Sequence, residues 1–139
     1  MKHLLFALTC LVGAAQAAPI VNNATIRLPL PGKTVSAGYL SIENPDNHPL
    51  VLRSASSPMF GLIELHHHIE VDGMLRMVKI ETLEIAPRST VHLQPGSYHL
   101  MMFRPTKPLT KDSKVELVLT WADGSKTYLT PTITSIPKS

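Results

Sequence analysis

Four residues of this chain could together hold a soft metal ion: His66, Met77, His99 and Met101. Imidazole nitrogen binds several transition metals. The thioether sulfur of methionine is soft and uncharged, and it selects Cu(I) over zinc, calcium or magnesium. Two histidines and two methionines suit a monovalent d¹⁰ ion that imposes little geometry. Such neutral ligands leave the site with only the charge of the ion, and no thiolate need be displaced when the ion leaves. Taken singly, each residue has a plainer account. A lone methionine in a β protein is usually core filler. His99, between Tyr98 and Leu100, could be a satisfied, partly buried histidine, and His66-His67-His68 could be a solvated strand face. The combination favours a site.

The elements around these residues are strands. Asp72-Gly73 is a two-residue hairpin signal, because a type I′ turn needs positive φ at both central positions. It predicts Val71 opposite Met74, Glu70 opposite Leu75, Ile69 opposite Arg76 and His68 opposite Met77. Strand side chains alternate faces, so His66 and His68 share a face and His67 points the other way. Met77 then sits opposite His68 and diagonal to His66, with Cβ separations of about 5 and about 7 Å. Tyr98-His99-Leu100-Met101 is a second strand fragment, with His99 and Met101 on one side. The register leaves His68 open as a rival to His66. Met59, Met74 and Met102 read as packing or rim residues, Met102 facing away from His99 and Met101. His48 and His92 are isolated.

Nine strand-like runs lie between turn signals such as Asn44-Pro45-Asp46-Asn47 and Asp123-Gly124, near 24–28, 36–43, 50–55, 61–71, 74–83, 89–93, 98–103, 115–121 and 126–134. No stretch has a helical period of useful length. The expectation is an all-β chain of about seven to nine short strands, folded as a Greek-key sandwich or barrel. Val115, Leu117, Leu119 and Trp121 should share one face of their strand.

At 139 residues the chain is long enough for one domain with a real core. Residues 1–17 read as a signal peptide, with a basic start, a short apolar run and small residues at Ala15 and Ala17. Residues 18–139 would form the single domain. Cys10, the only cysteine, falls in that leader, and neither Thr9 nor the apolar stretch after it favours acylation there. The remaining chain would offer no thiolate, which excludes blue-copper electron transfer, a chemistry that needs a cysteine ligand. The formal net charge of +3 comes with no lysine or arginine run, so nucleic-acid binding has no footprint. No nucleophile constellation is readable, and soft ligands activate water poorly, so an enzyme is not expected.

The spacing His66-x10-Met77-x21-His99-x-Met101 resembles the motif of the PCuAC family, bacterial periplasmic copper chaperones with a cupredoxin-like β fold. Ser36-Ala37-Gly38-Tyr39, Glu64-Leu65-His66 and Pro95-Gly96-Ser97-Tyr98 are also similar to that family. The resemblance implies one Cu(I) bound by the four residues in the periplasm. It also implies delivery toward the CuA centre in the copper subunit of cytochrome c oxidase, alongside a Sco-type protein. No stable membrane association after leader cleavage is implied, and a monomer is the simplest expectation. Some members carry a histidine- and methionine-rich C-terminal extension; residues 132–139 hold neither residue type. The competing functions are copper buffering without a dedicated acceptor and a metal-free immunoglobulin-like interaction module.

Overall fold

The computed structural model describes residues 17–135. The expected leader, Ala17 apart, and Cys10 lie outside them. The described residues form no helix and eleven strands: β1 (Ile20–Arg27), β2 (Ser36–Glu43), β3 (Leu50–Ser56), β4 (Phe60–Val71), β5 (Met74–Ile80), β6 (Leu83–Ile85), β7 (Thr90–Leu93), β8 (Tyr98–Pro105), β9 (Leu117–Trp121), β10 (Lys126–Leu129) and β11 (Thr132–Thr134). They build a seven-stranded sheet in the order β11-β1-β2-β7-β8-β4-β5 and a four-stranded sheet in the order β10-β9-β3-β6.

Eleven strands replace the expected seven to nine because two of the nine runs each cross between sheets. Run 74–83 leaves the large sheet after Ile80 and enters the small one at Leu83. Run 126–134 crosses back at Thr130-Pro131, where proline has no N–H to continue a ladder. A periodic run cannot reveal such a crossing, since both halves keep a strand-like composition.

The core lies between the sheets. Ile26, Ile42, Leu65, Leu100 and Met102 from the large sheet pack with Leu52, Ile85, Leu119 and Trp121 from the small one, all essentially buried. Val115, Leu117, Leu119 and Trp121, expected on one face, all lie in the core. The Trp121 indole N–H donates to Thr127 Oγ1 at 2.9 Å across the Asp123-Gly124 hairpin, which satisfies its one polar atom. Asn44, buried at the end of β2, is held by its amide. Nδ2 donates to the carbonyls of His48 and Ile85 at 2.8 and 3.1 Å, and Oδ1 accepts the Asp46 amide at 3.1 Å. The turn signal at residues 44–47 is thus also a clamp between the sheets.

The β4–β5 hairpin has the register its turn demands. Val71 pairs with Met74, Glu70 with Leu75, Ile69 with Arg76 and His68 with Met77. Asp72 and Gly73 both have positive φ, 51° and 76°, the left-handed geometry of the primed turn.

Candidate metal centre

The chemistry-bearing residues gather on the face of the large sheet that points away from the core. β8 lies between β2 and β4 along this stretch. It pairs Met101 with Ala37 on one side and Met101 with Glu64 on the other. His99 pairs with His66, and Tyr98 with His67. Alternation then sorts the side chains. Leu65, Leu100 and Met102 face the core and are buried. Glu64, His66, His68, His99 and Met101 fall on the opposite face. The middle member of the histidine run is removed by the same rule: His67 stacks on Tyr98, with ring centroids 3.9 Å apart and planes at 18°.

The chain between β1 and β2, residues 28–35, folds over this outer face and borders an open cavity of about 560 Å³. His68, Met77, His99 and Met101 line its sheet side. Arg27 and Tyr39 form one wall, the guanidinium standing 5.1 Å from the ring centroid. Three of the four residues singled out by sequence therefore face one cavity. The fourth, His66, is adjacent but not part of the lining, and His68 takes the corresponding place.

His66 is held in a specific orientation. Its Nε2–H donates to Glu64 Oε2 at 2.8 Å. Its Nδ1 is buried and has no hydrogen-bond partner. Nδ1 is therefore the ring atom left uncommitted, and the one a metal would take. A carboxylate that accepts one ring N–H while the other nitrogen faces a metal position is the usual way a ligand imidazole is oriented. Glu64 also lies 3.9 Å from Lys79 Nζ, which stands opposite His66 on β5.

His99 is the centre of the group. It is 4% exposed, and its ring centroid lies 5.6 Å from His66 and 5.1 Å from His68. Desolvation by burial holds its pKa below the ordinary 6.5; the Ser97 backbone opposes this, and the nearby His68 and His66 add to it. The neutral form, the one able to bind a metal, is thus favoured. Met77 is 45% exposed at the side of the cavity. Its unbranched side chain can swing with little loss of packing. Among the described residues no three histidine, cysteine or carboxylate side chains are already drawn together for a metal ion. Any ion held here must draw on the methionine sulfurs or on ring rotation.

Other sulfur and imidazole groups among the described residues stand away from this cluster. Met102 is fully buried, Met59 packs partly buried against the core and Met74 is exposed at the hairpin. His92 Nδ1 is 2.7 Å from Ser41 Oγ. Glu64 and the 28–35 connection were not foreseen as parts of the site. Glu64 lies two residues before His66, and that spacing alone puts a carboxylate on the imidazole's face. Nothing in Pro29-Leu30-Pro31-Gly32 beyond a turn signal says which surface it will cover.

A two-sheet β fold with histidine and methionine gathered on the outer face of one sheet is that of the PCuAC class of cupredoxin-like domains. The copper-bound PCuAC domain from PmoF2 matches 88% of this chain and 97% of its own length with a TM-score of 0.71, at 17% identity. The solution structure of Cu(I)-bound DR1885 from Deinococcus radiodurans matches 81% of this chain and 75% of its own length with a TM-score of 0.67, at 26% identity. The chain belongs to the LpqE-like lipoprotein family, whose model matches residues 20–133. A relative from Leifsonia xyli subsp. xyli, Lxx21020, itself named as a lipoprotein, is 26% identical over 68% of this chain and 57% of its own. The chain spans little more than half the length of the curated relatives it matches.

Proposed function

We propose that this chain is an exported copper carrier that holds one Cu(I) ion through His66, Met77, His99 and Met101 and passes it on by ligand exchange. It acts as a binding protein and not as an enzyme. The observation that carries this reading is His66. One ring nitrogen is fixed by Glu64, and the other is buried and unpartnered, in a ring that stands beside His99. A buried polar atom without a partner is costly unless something binds it. The thioethers of Met77 and Met101 on the adjoining cavity wall give the donor set its preference for Cu(I). The DR1885 structure, which carries Cu(I), is the relative in the same fold that favours this cargo.

Copper would leave stepwise, as a partner's thiolates or imidazoles replace the ligands. The exposed Met77 is the natural first ligand to yield. Residues 1–17 act as a cleaved leader and residues 18–139 as the working domain, placed in the periplasm. The acceptor is the CuA site of the cytochrome c oxidase copper subunit, reached with a Sco-type protein; this part rests on resemblance to PCuAC chaperones.

A Cu(I) competition titration tests the site. Met77→Ala and Met101→Ala should each weaken binding by about ten-fold or more. Unchanged affinity in both variants would overturn the assignment. Deletion of the gene tests delivery. Loss of oxidase activity at low copper supports it, whereas sensitivity only at high copper points to buffering.

A further inference from the structure

We propose that the cavity on the outer face takes a small thiol acid, a molecule with a carboxylate at one end, an apolar body and a thiol at the other, and that copper is exchanged with this class of ligand. The proposal rests on the copper-carrier reading and names the chemistry of the molecule that meets the ion.

Arg27 on β1 pairs with Ala37 on β2, and Ala37 pairs with Met101 on β8. Neighbouring strands lie about 4.8 Å apart, so Arg27 and Met101 stand about 10 Å apart on one face. Only the methyl group of Ala37 lies between them, which leaves a trough from a cation to a soft donor. Lys33, on the connection from β1 to β2, also lines the cavity, and no lining residue is a carboxylate. Among the described residues neither Arg27 nor Lys33 is paired with one. Tyr39 holds the guanidinium over its ring, which leaves the N–H groups of Arg27 for an anion. Glu64, the carboxylate beside Met101, is committed to His66 and Lys79. The side of the cavity at Arg27 and Lys33 therefore attracts negative charge. Leu28, Pro29, Leu30 and Val35 supply apolar walls, and Met77, His99 and Met101 lie toward β8 and β5. A bare ion needs little of this space, whereas about 560 Å³ falls in the range of roughly 300–1,000 Å³ that small-molecule sites occupy. A molecule that answers both sides carries an acid for the two cations and a soft donor for Cu(I). In the exchange the thiol loses its proton to solvent, its sulfur takes the ion and the exposed Met77 thioether is released. Copper stays Cu(I) throughout.

The probe is mercaptohexanoate, with acid and thiol at opposite ends, and mercaptohexanol is its neutral match. The metal-free protein is titrated first and followed by NMR of its backbone amides. Mercaptohexanoate should bind at one site, shift Arg27, Ala37 and Met101, and bind about ten-fold or more tightly than mercaptohexanol. Arg27→Gln combined with Lys33→Gln should bring the two thiols within about three-fold of each other. Lys33→Gln alone, on the exposed connection, should weaken mercaptohexanoate by about three-fold, so the test does not depend on how β1 tolerates Arg27→Gln. The Cu(I)-loaded protein is then mixed with each thiol at equal concentration. Mercaptohexanoate should withdraw copper about ten-fold faster, because a charge at the rim acts mainly on the rate of encounter. Equal binding of the two thiols to the metal-free protein overturns the proposal, as does a preference that survives in the double variant. Selective binding with equal rates of copper withdrawal overturns the exchange role. A protein that selects mercaptohexanoate yet takes up no Cu(I) supports the thiol-acid site and sinks the copper-carrier reading instead.

Discussion

The two faces of β4 and β8 carry the same kinds of residue and put them to opposite uses. On the inner face Met102 is buried in the core, and His67 is spent in a stack with Tyr98. On the outer face Met101, one residue away, borders a cavity with His99 and His68. Composition does not separate Met101 from Met102, or His67 from His68. Strand parity does, because one step along a strand turns a side chain to the other side of the sheet.

The sharpest break between the faces should come from the adjacent methionines. Met102→Ala empties fully buried space and should cost about 2–5 kcal/mol of stability by urea denaturation, with Cu(I) stoichiometry kept. Met101→Ala should reverse the pattern, losing Cu(I) affinity while stability falls by no more than about 1 kcal/mol. If both variants lose stability and neither loses copper, the division between the faces fails.

A smaller effect should follow from Glu64. Glu64→Ala removes the acceptor of the His66 N–H and should weaken Cu(I) by about ten-fold in a competition titration. Retained affinity would mean that the carboxylate does not orient the ring.

The dependence on pH should be shallower still. His99 has its pKa held below the ordinary 6.5 by burial, so the unfolded chain takes up this proton before the folded one does. The stability that a neutral His99 contributes to the metal-free protein is fully present above about pH 6.5. It declines as pH falls through that value toward the lower folded one. Cu(I) affinity should likewise persist, as far as His99 is concerned, to a pH lower than free imidazole would allow. A denaturation series and a copper titration between neutral and acid pH read the two. Affinity lost above pH 6.5 would show that His99 is not protected as its burial implies. The smallest effect belongs to His67→Ala, which should leave Cu(I) affinity unchanged by titration and cost at most about 1.5 kcal/mol through the lost stack.

Local pattern alone determined a good deal here. Asp72-Gly73 set the β4–β5 register residue by residue, since its two positive φ angles admit only a tight primed turn. Alternation separated His67 from its neighbours and Met102 from Met101, and the soft donors pointed to copper before any contact was known. The tertiary structure decided the rest. The pairing of His66 with His99 and of Glu64 with Met101 joins residues more than thirty positions apart, and no turn chemistry links β4 to β8. The crossing of two apolar runs between sheets, and the folding of residues 28–35 over the outer face, likewise depend on how the whole core closes. Periodicity reports which side of a strand a residue occupies. Which strand lies beside it, and what covers it, is set by long-range packing that a local pattern does not encode.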